Sequence, residues 1–127
     1  MSVRALILDW GGVIQRTASQ APRRALEREL GLVPGALERA VFESAAWHQA
    51  SVGALAADEA WARITAAVGY GGPPLAFITR FFRGDYVDER LLALVTRLRR
   101  RGVRVALLSN APGERRADDD PQGRWGL

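Results

Sequence analysis

The chain has 127 residues, 48% of them hydrophobic and none of them cysteine, which points to one modest globular domain without a disulfide framework or a thiolate metal site. No apolar run approaches the roughly 18 residues of a membrane span, and the first one is too short for a signal peptide, so a cytoplasmic protein without a membrane partner is expected. Net charge is +4, yet all 18 basic residues are arginine and they are interleaved with 14 acids rather than gathered into one stripe with aromatics. That pattern reads as codon usage and gives no reason to expect a nucleic-acid partner.

In chain order, residues 3–9 predict a buried strand built on Val3, Ala5, Leu6, Ile7 and Leu8. The run is continuously apolar, which predicts a parallel sheet covered on both faces. Residues 21–31 predict a helix with Pro22 in its first turn, Ala25, Leu26 and Leu30 on its apolar face, and Gly31 at its end. Residues 34–46 predict another, with Leu37, Val41 and Phe42 on one face. Asp58 reads as the N-cap of a third, carrying Trp61, Ile64 and Val68 and stopped by Gly69. Gly71-Gly72-Pro73-Pro74 is a break, and 75–83 can form a short helix. Asp88 then caps a helix through Arg101 with Leu91, Leu94, Val95 and Leu98 inward, and Gly102 follows it. Val103–Leu108 is a second strand, the return half of a βαβ crossover.

Asp9 and Ser109 each end an apolar strand. In open α/β sheets ligands bind beyond the carboxyl ends of the strands, so parallel neighbours would bring a carboxylate, a hydroxyl and the Asn110 amide to one rim. Singly, each residue reads as an ordinary turn former; together they outweigh that reading. A carboxylate can attack phosphorus and form an acyl phosphate. Gly11 and Gly12 let the backbone turn sharply, and turn amides, that of Gly12 among them, can cradle an anion.

The stretch ALILDWGGVI (Ala5–Ile14), the stretch VALLSN (Val105–Asn110) and the helical block between them resemble the haloacid dehalogenase superfamily, in its branch with a helical insertion after the first strand. The resemblance implies an α/β fold, an incomplete Rossmann-like parallel sheet with an inserted α-helical cap. Residues 1–14 and 86–127 would form the partial core and 15–85 the cap. It implies Asp9 as nucleophile, Ser109 with the Asn110 amide as phosphate binder, and Mg2+ held by Asp9 and the Gly11 carbonyl. The substrate would be a small-molecule phosphate ester, which no residue narrows further.

The chain departs from that family's pattern in two ways. Gly11 stands where phosphatases of the family usually carry a second aspartate that transfers protons, a group worth roughly 10²–10⁴-fold. The family's third motif, a lysine or sometimes an arginine, and its fourth, a strand followed by an acidic pair, have no counterpart; the chain has no lysine at all. Asp118-Asp119-Asp120 follows no apolar strand and reads as surface. A truncated enzyme, inactive alone, is therefore the first expectation. A non-catalytic fragment or interaction module that pairs its open sheet edge with a partner or with itself is the second. A dehalogenase is less expected, because that branch carries a bulkier residue at the place of Gly11. His48, Trp47 and Trp61 read as cap residues, Trp10 as core or pocket floor, and Gln15 and Arg16 as a linker or a substrate contact.

Overall fold

The computed structural model describes residues 2–110, so Asp118–Asp120 and the residues after them lie outside the described structure. Its elements are β1 (Ala5–Asp9), β2 (Gln15–Thr17), α1 (Ala21–Glu29), α2 (Ala36–Phe42), α3 (Ala45–Ser51), α4 (Ala57–Ala67), α5 (Pro74–Phe81), β3 (Asp85–Val87), α6 (Glu89–Arg100) and β4 (Arg104–Leu108). The fold is mixed α/β, with β1 and β4 forming a parallel two-stranded sheet and β2 and β3 a second pair. Two compact units divide the chain: one from the residues up to Arg16 together with Tyr86–Ser109, the other from Thr17–Asp85.

In the sheet unit, Asp88 caps α6 as the sequence predicts, its Oδ1 accepting the Leu91 N–H at 3.0 Å. Val95 is buried, Leu91 and Leu98 are half-buried, and Gly102 ends the helix at φ 83°. Leu94, expected inward, is 42% exposed. The strand burial also departs from expectation. Leu6 and Leu8 are half-buried, but Ile7 between them is 66% exposed and Leu108 is 69% exposed. Side chains alternate across a sheet, and α6 packs against β4 on one side only, so an apolar run suited to two covers has one among the described residues.

In the helical unit, Leu26, Leu37, Val41, Ile64, Val68, Phe77 and Phe81 form the core. The helix predicted over 34–46 spans only Ala36–Phe42, and a separate helix, not predicted, runs over Ala45–Ser51. Ser44 adopts an extended backbone, and its hydroxyl accepts the Trp47 N–H at 3.1 Å, which starts α3 afresh. Asp58 lies inside the first turn of α4 rather than at its cap, which is Ala56; its charge still suits the helix N-terminus. On α1 the buried face is Arg23, Leu26 and Glu27, whereas Ala25 is exposed.

Both buried charges on α1 are fully engaged. The Arg23 guanidinium donates to Asp85 Oδ1 at 2.9 Å and to the Phe81 carbonyl at 3.1 Å, and it lies 4.3 Å from the Phe81 ring centroid. Thr17 Oγ1 donates to the same Asp85 oxygen at 2.9 Å. Glu27 accepts from Arg24 at 2.7 Å and from the Leu37 N–H at 3.1 Å. Burial would raise the Glu27 carboxyl, but the Arg24 and Leu37 hydrogen bonds outweigh it and hold the group below its ordinary value.

The two ends of the helical unit meet at Gly84. Its carbonyl accepts the N–H of Ala18 at 2.9 Å and of Ser19 at 3.2 Å, and a Cβ on Gly84 would fall 2.0 Å from the Ser19 carbonyl oxygen. Backbone does not yield there as a side chain would. Gly84→Ala is expected to lower stability by about 1–3 kcal/mol in urea titration. Gly71→Ala, which meets open space, should stay within about 0.5 kcal/mol. Equal midpoints would show the contact to be unimportant.

Glu27 gives a pH-dependent expectation. Its carboxyl is lowered on folding, so its stabilisation is present above the unfolded value of about 4.3 and is lost as pH falls through the folded value beneath it. Glu27→Gln should be less stable than the parent at neutral pH, and the gap should narrow below about pH 4.3. A gap constant down to pH 2 would contradict the assignment.

Candidate functional site

The site is built on β1, β4 and the turn that leaves β1. The parallel register sets Asp9 level with Leu108, so Ser109 lies one residue past that rung on the neighbouring strand. The sheet thus brings Asp9 and Ser109 to the same carboxyl end, as the strand pattern implies. Both are exposed, and Asn110 beyond them is exposed as well.

Immediately after Asp9 the chain folds back on itself. The Trp10 carbonyl accepts the N–H of Val13, Ile14 and Gln15, the latter two at 2.9 Å. Gly12 sits at φ 77°, a left-handed backbone that favours glycine, and donates its N–H to the Gln15 carbonyl at 2.8 Å. The Gly12 amide, expected to face an anion, is thus used inside the turn. Asp9 itself is held by its neighbour: the Trp10 N–H donates to Asp9 Oδ1 at 2.7 Å. The Trp10 indole N–H donates in turn to Gln15 Oε1 at 2.6 Å. Gln15, read from the sequence as a linker or a substrate contact, is part of the strand-end turn.

Gly11 has no positive φ, and nothing lies within 4 Å of where its Cβ would be. A side chain at this position would therefore meet no steric obstacle. As for a metal, no three His, Cys, Asp or Glu side chains group as ligands among the described residues. Asp9 and the Gly11 carbonyl offer two oxygens. Mg2+ commonly keeps several waters and takes only one or two carboxylates besides substrate phosphate, and Asp9 is the one carboxylate of this pair.

The Arg16 side chain is 53% exposed. It pairs with Asp88 at 3.3 Å, and the Asp88 carboxyl is held below its ordinary value by the Leu91 N–H first, with burial opposing and Arg16 adding to the fall. His48 is exposed on α3, while Trp47 and Trp61 pack edge to face with ring centroids 5.7 Å apart against the helical core. A shallow hollow of about 610 Å³ along α6, lined by Arg90, Ala93, Thr96, Arg97 and Arg100, contains none of the strand-end residues. The Arg23–Asp85 pair escapes the sequence reading, although one signal marks it: Arg23, Leu26, Glu27 and Leu30 share the i, i+3, i+4, i+7 spacing of a buried face.

No family model matches the chain, and no curated protein matches it. No helix among the described residues is long and apolar enough to cross a membrane.

The two glycines of the turn should respond differently to alanine. Gly12→Ala forces a Cβ into the left-handed region and should cost about 1–2 kcal/mol. Gly11→Ala meets neither strain nor contact and should be near neutral in the same denaturation experiment. The reverse order would contradict the left-handed backbone at Gly12.

Proposed function

We propose that the chain carries the strand-end nucleophile of a cytoplasmic hydrolase of the haloacid dehalogenase type, acting on a small-molecule phosphate ester through an aspartyl phosphate. The observation that carries this reading is the register: a carboxylate, Asp9, at the carboxyl end of one parallel strand, one step from a hydroxyl, Ser109, on its neighbour. In this reading the β1–β4 pair belongs to an incomplete Rossmann-like sheet, and the helical unit is a cap.

Oδ1 of Asp9 is occupied by the Trp10 N–H, and no hydrogen bond to Oδ2 is found among the described residues, so Oδ2 is the attacking atom. A bond forms from Oδ2 to phosphorus while the bond from phosphorus to the ester oxygen breaks. The leaving alkoxide takes its proton from water, because Gly11 has none to give. Water then attacks phosphorus, the bond to Asp9 breaks, and inorganic phosphate and the carboxylate are released. Ser109, with the Asn110 amide, would hold the phosphoryl oxygens. Mg2+ held by Asp9 and the Gly11 carbonyl would reduce the repulsion between two anions.

Formation of the covalent intermediate needs less than full turnover. Incubated with acetyl phosphate and Mg2+, the chain should gain the mass of one phosphoryl group, and Asp9→Asn should gain none. No Asp9-dependent label would overturn the reading. Multiple turnover of p-nitrophenyl phosphate by this chain alone is not expected, because it contains no lysine and Gly11 supplies no base to activate the water that releases the phosphoryl group.

A second reading, a non-catalytic interaction module, draws on a different observation. The β1–β4 sheet has only two strands, so both outer edges are open among the described residues, and one face exposes Val3, Ile7 and Leu108. Light scattering of the eluted protein should then show mass growing with concentration, and Ile7→Lys should restore the monomer. A clean monomer at high concentration would exclude it.

A further inference from the structure

We infer that Gln15 is a positioning residue for the Asp9 carboxylate, acting through Trp10. The inference rests on the proposed role of Asp9 and adds a residue to that site. Gln15 bonds to the turn at three points. Its side-chain oxygen takes the Trp10 indole N–H at 2.6 Å. Its backbone N–H goes to the Trp10 carbonyl at 2.9 Å. Its carbonyl takes the Gly12 N–H at 2.8 Å. Two of the three converge on Trp10, one on its ring and one on its backbone, so both ends of that residue are tied.

The consequence reaches Asp9 through one peptide plane. Trp10 N–H is the donor to Asp9 Oδ1, and the plane carrying that N–H joins directly to a residue whose carbonyl and indole are both fixed. A carboxylate has two torsions to lose, and one 2.7 Å hydrogen bond from a rigid donor leaves Oδ2 in one direction. In the absence of the latch, the glycines at 11 and 12 would let the turn swing. The backbone bonds of Gln15 need no particular side chain, but the indole bond needs an acceptor at this length. That makes the side chain, not the strand it begins, the specific element.

Misplacement of a reacting group by about 1 Å can cost on the order of a hundredfold in rate. Gln15→Met keeps the length and removes the acceptor; Gln15→Glu keeps the acceptor. With acetyl phosphate and Mg2+, labelling of Asp9 should slow about tenfold or more in Gln15→Met and stay within about threefold of the parent in Gln15→Glu. In ¹⁵N–¹H spectra of the full chain, the Trp10 indole proton, assigned by its loss in Trp10→Phe, should exchange faster with water in Gln15→Met only. Equal labelling rates in the parent and Gln15→Met would overturn the inference while leaving the proposed function standing. If the parent takes no label, the proposed function falls instead. The Asp9 carboxyl ¹³C resonance then decides: displacement in Gln15→Met and recovery in Gln15→Glu support positioning, and an unmoved resonance overturns it.

Discussion

An insertion must return the chain to where it left, and in the helical unit a single buried cation enforces that return. Arg23 on α1 reaches Asp85, which ends the unit, and Thr17, which begins it, and it takes the Phe81 carbonyl at the end of α5 as well. Removing a charge from water is costly, and burial of an ion pair is stabilising only when its geometry and additional hydrogen bonds compensate. Here they do: no buried side-chain polar atom lacks a partner among the described residues. Gly84 completes the closure by letting backbone meet backbone where any side chain would intrude. The seven-residue apolar core gives the unit its stability, but it is non-directional. Direction comes from Arg23, whose fork of fixed donors reaches both ends, together with the backbone bonds to the Gly84 carbonyl.

The sheet unit is governed by the opposite condition, a lack of cover. Two strands and one helix bury alternate residues of β1 and leave the others in solvent. Asp9 ends such a strand and is itself exposed, so its carboxylate stays well solvated. For a nucleophile this is a weak setting, because electrostatic and hydrogen-bonding groups act most strongly where water is excluded. The same exposure explains why the hydrogen bond from Trp10 matters: where surroundings do not confine a carboxylate, a local donor must.

Legibility in the sequence followed the range of the interactions. Strong local signals were readable: Asp88 as a cap, Gly102 as a stop, β1 and β4 from their β-branched and leucine runs, and the break at Gly71–Pro74. The placement of Asp9 and Ser109 at one end of the sheet was readable in the same way, because strand ends alone determine it. Local signals misled where two competed. Leu37, Val41 and Phe42 suggest one continuing helix, but Ser44 can satisfy the Trp47 amide, and this interrupts it. What stayed hidden was long-range: the pairing of β2 with β3, three residues each, and the Arg23–Asp85 bond across 62 positions. No periodicity announces a three-residue strand. An arginine on an apolar face gives a warning of burial but does not name its partner.

The strand-end turn separates two requirements that a catalytic carboxylate must meet together. Orientation is supplied locally: Trp10 fixes one oxygen of Asp9, and Gln15 fixes Trp10. Proton transfer is not, since Gly11 leaves the adjacent space open without filling it with an acid. These deficits act on different steps. Attack on phosphorus needs an oriented, ionised carboxylate and can proceed with a good leaving group that requires no proton. Expulsion of an alkoxide and activation of water need an acid and a base, each worth roughly 10²–10⁴-fold. A site built in this way is therefore better suited to accepting a phosphoryl group from an activated donor than to releasing it. Under the proposed function, formation and hydrolysis of an acyl phosphate would be separable properties, the first resting on Gln15 and Trp10 and the second on the proton-transfer group that Gly11 does not supply.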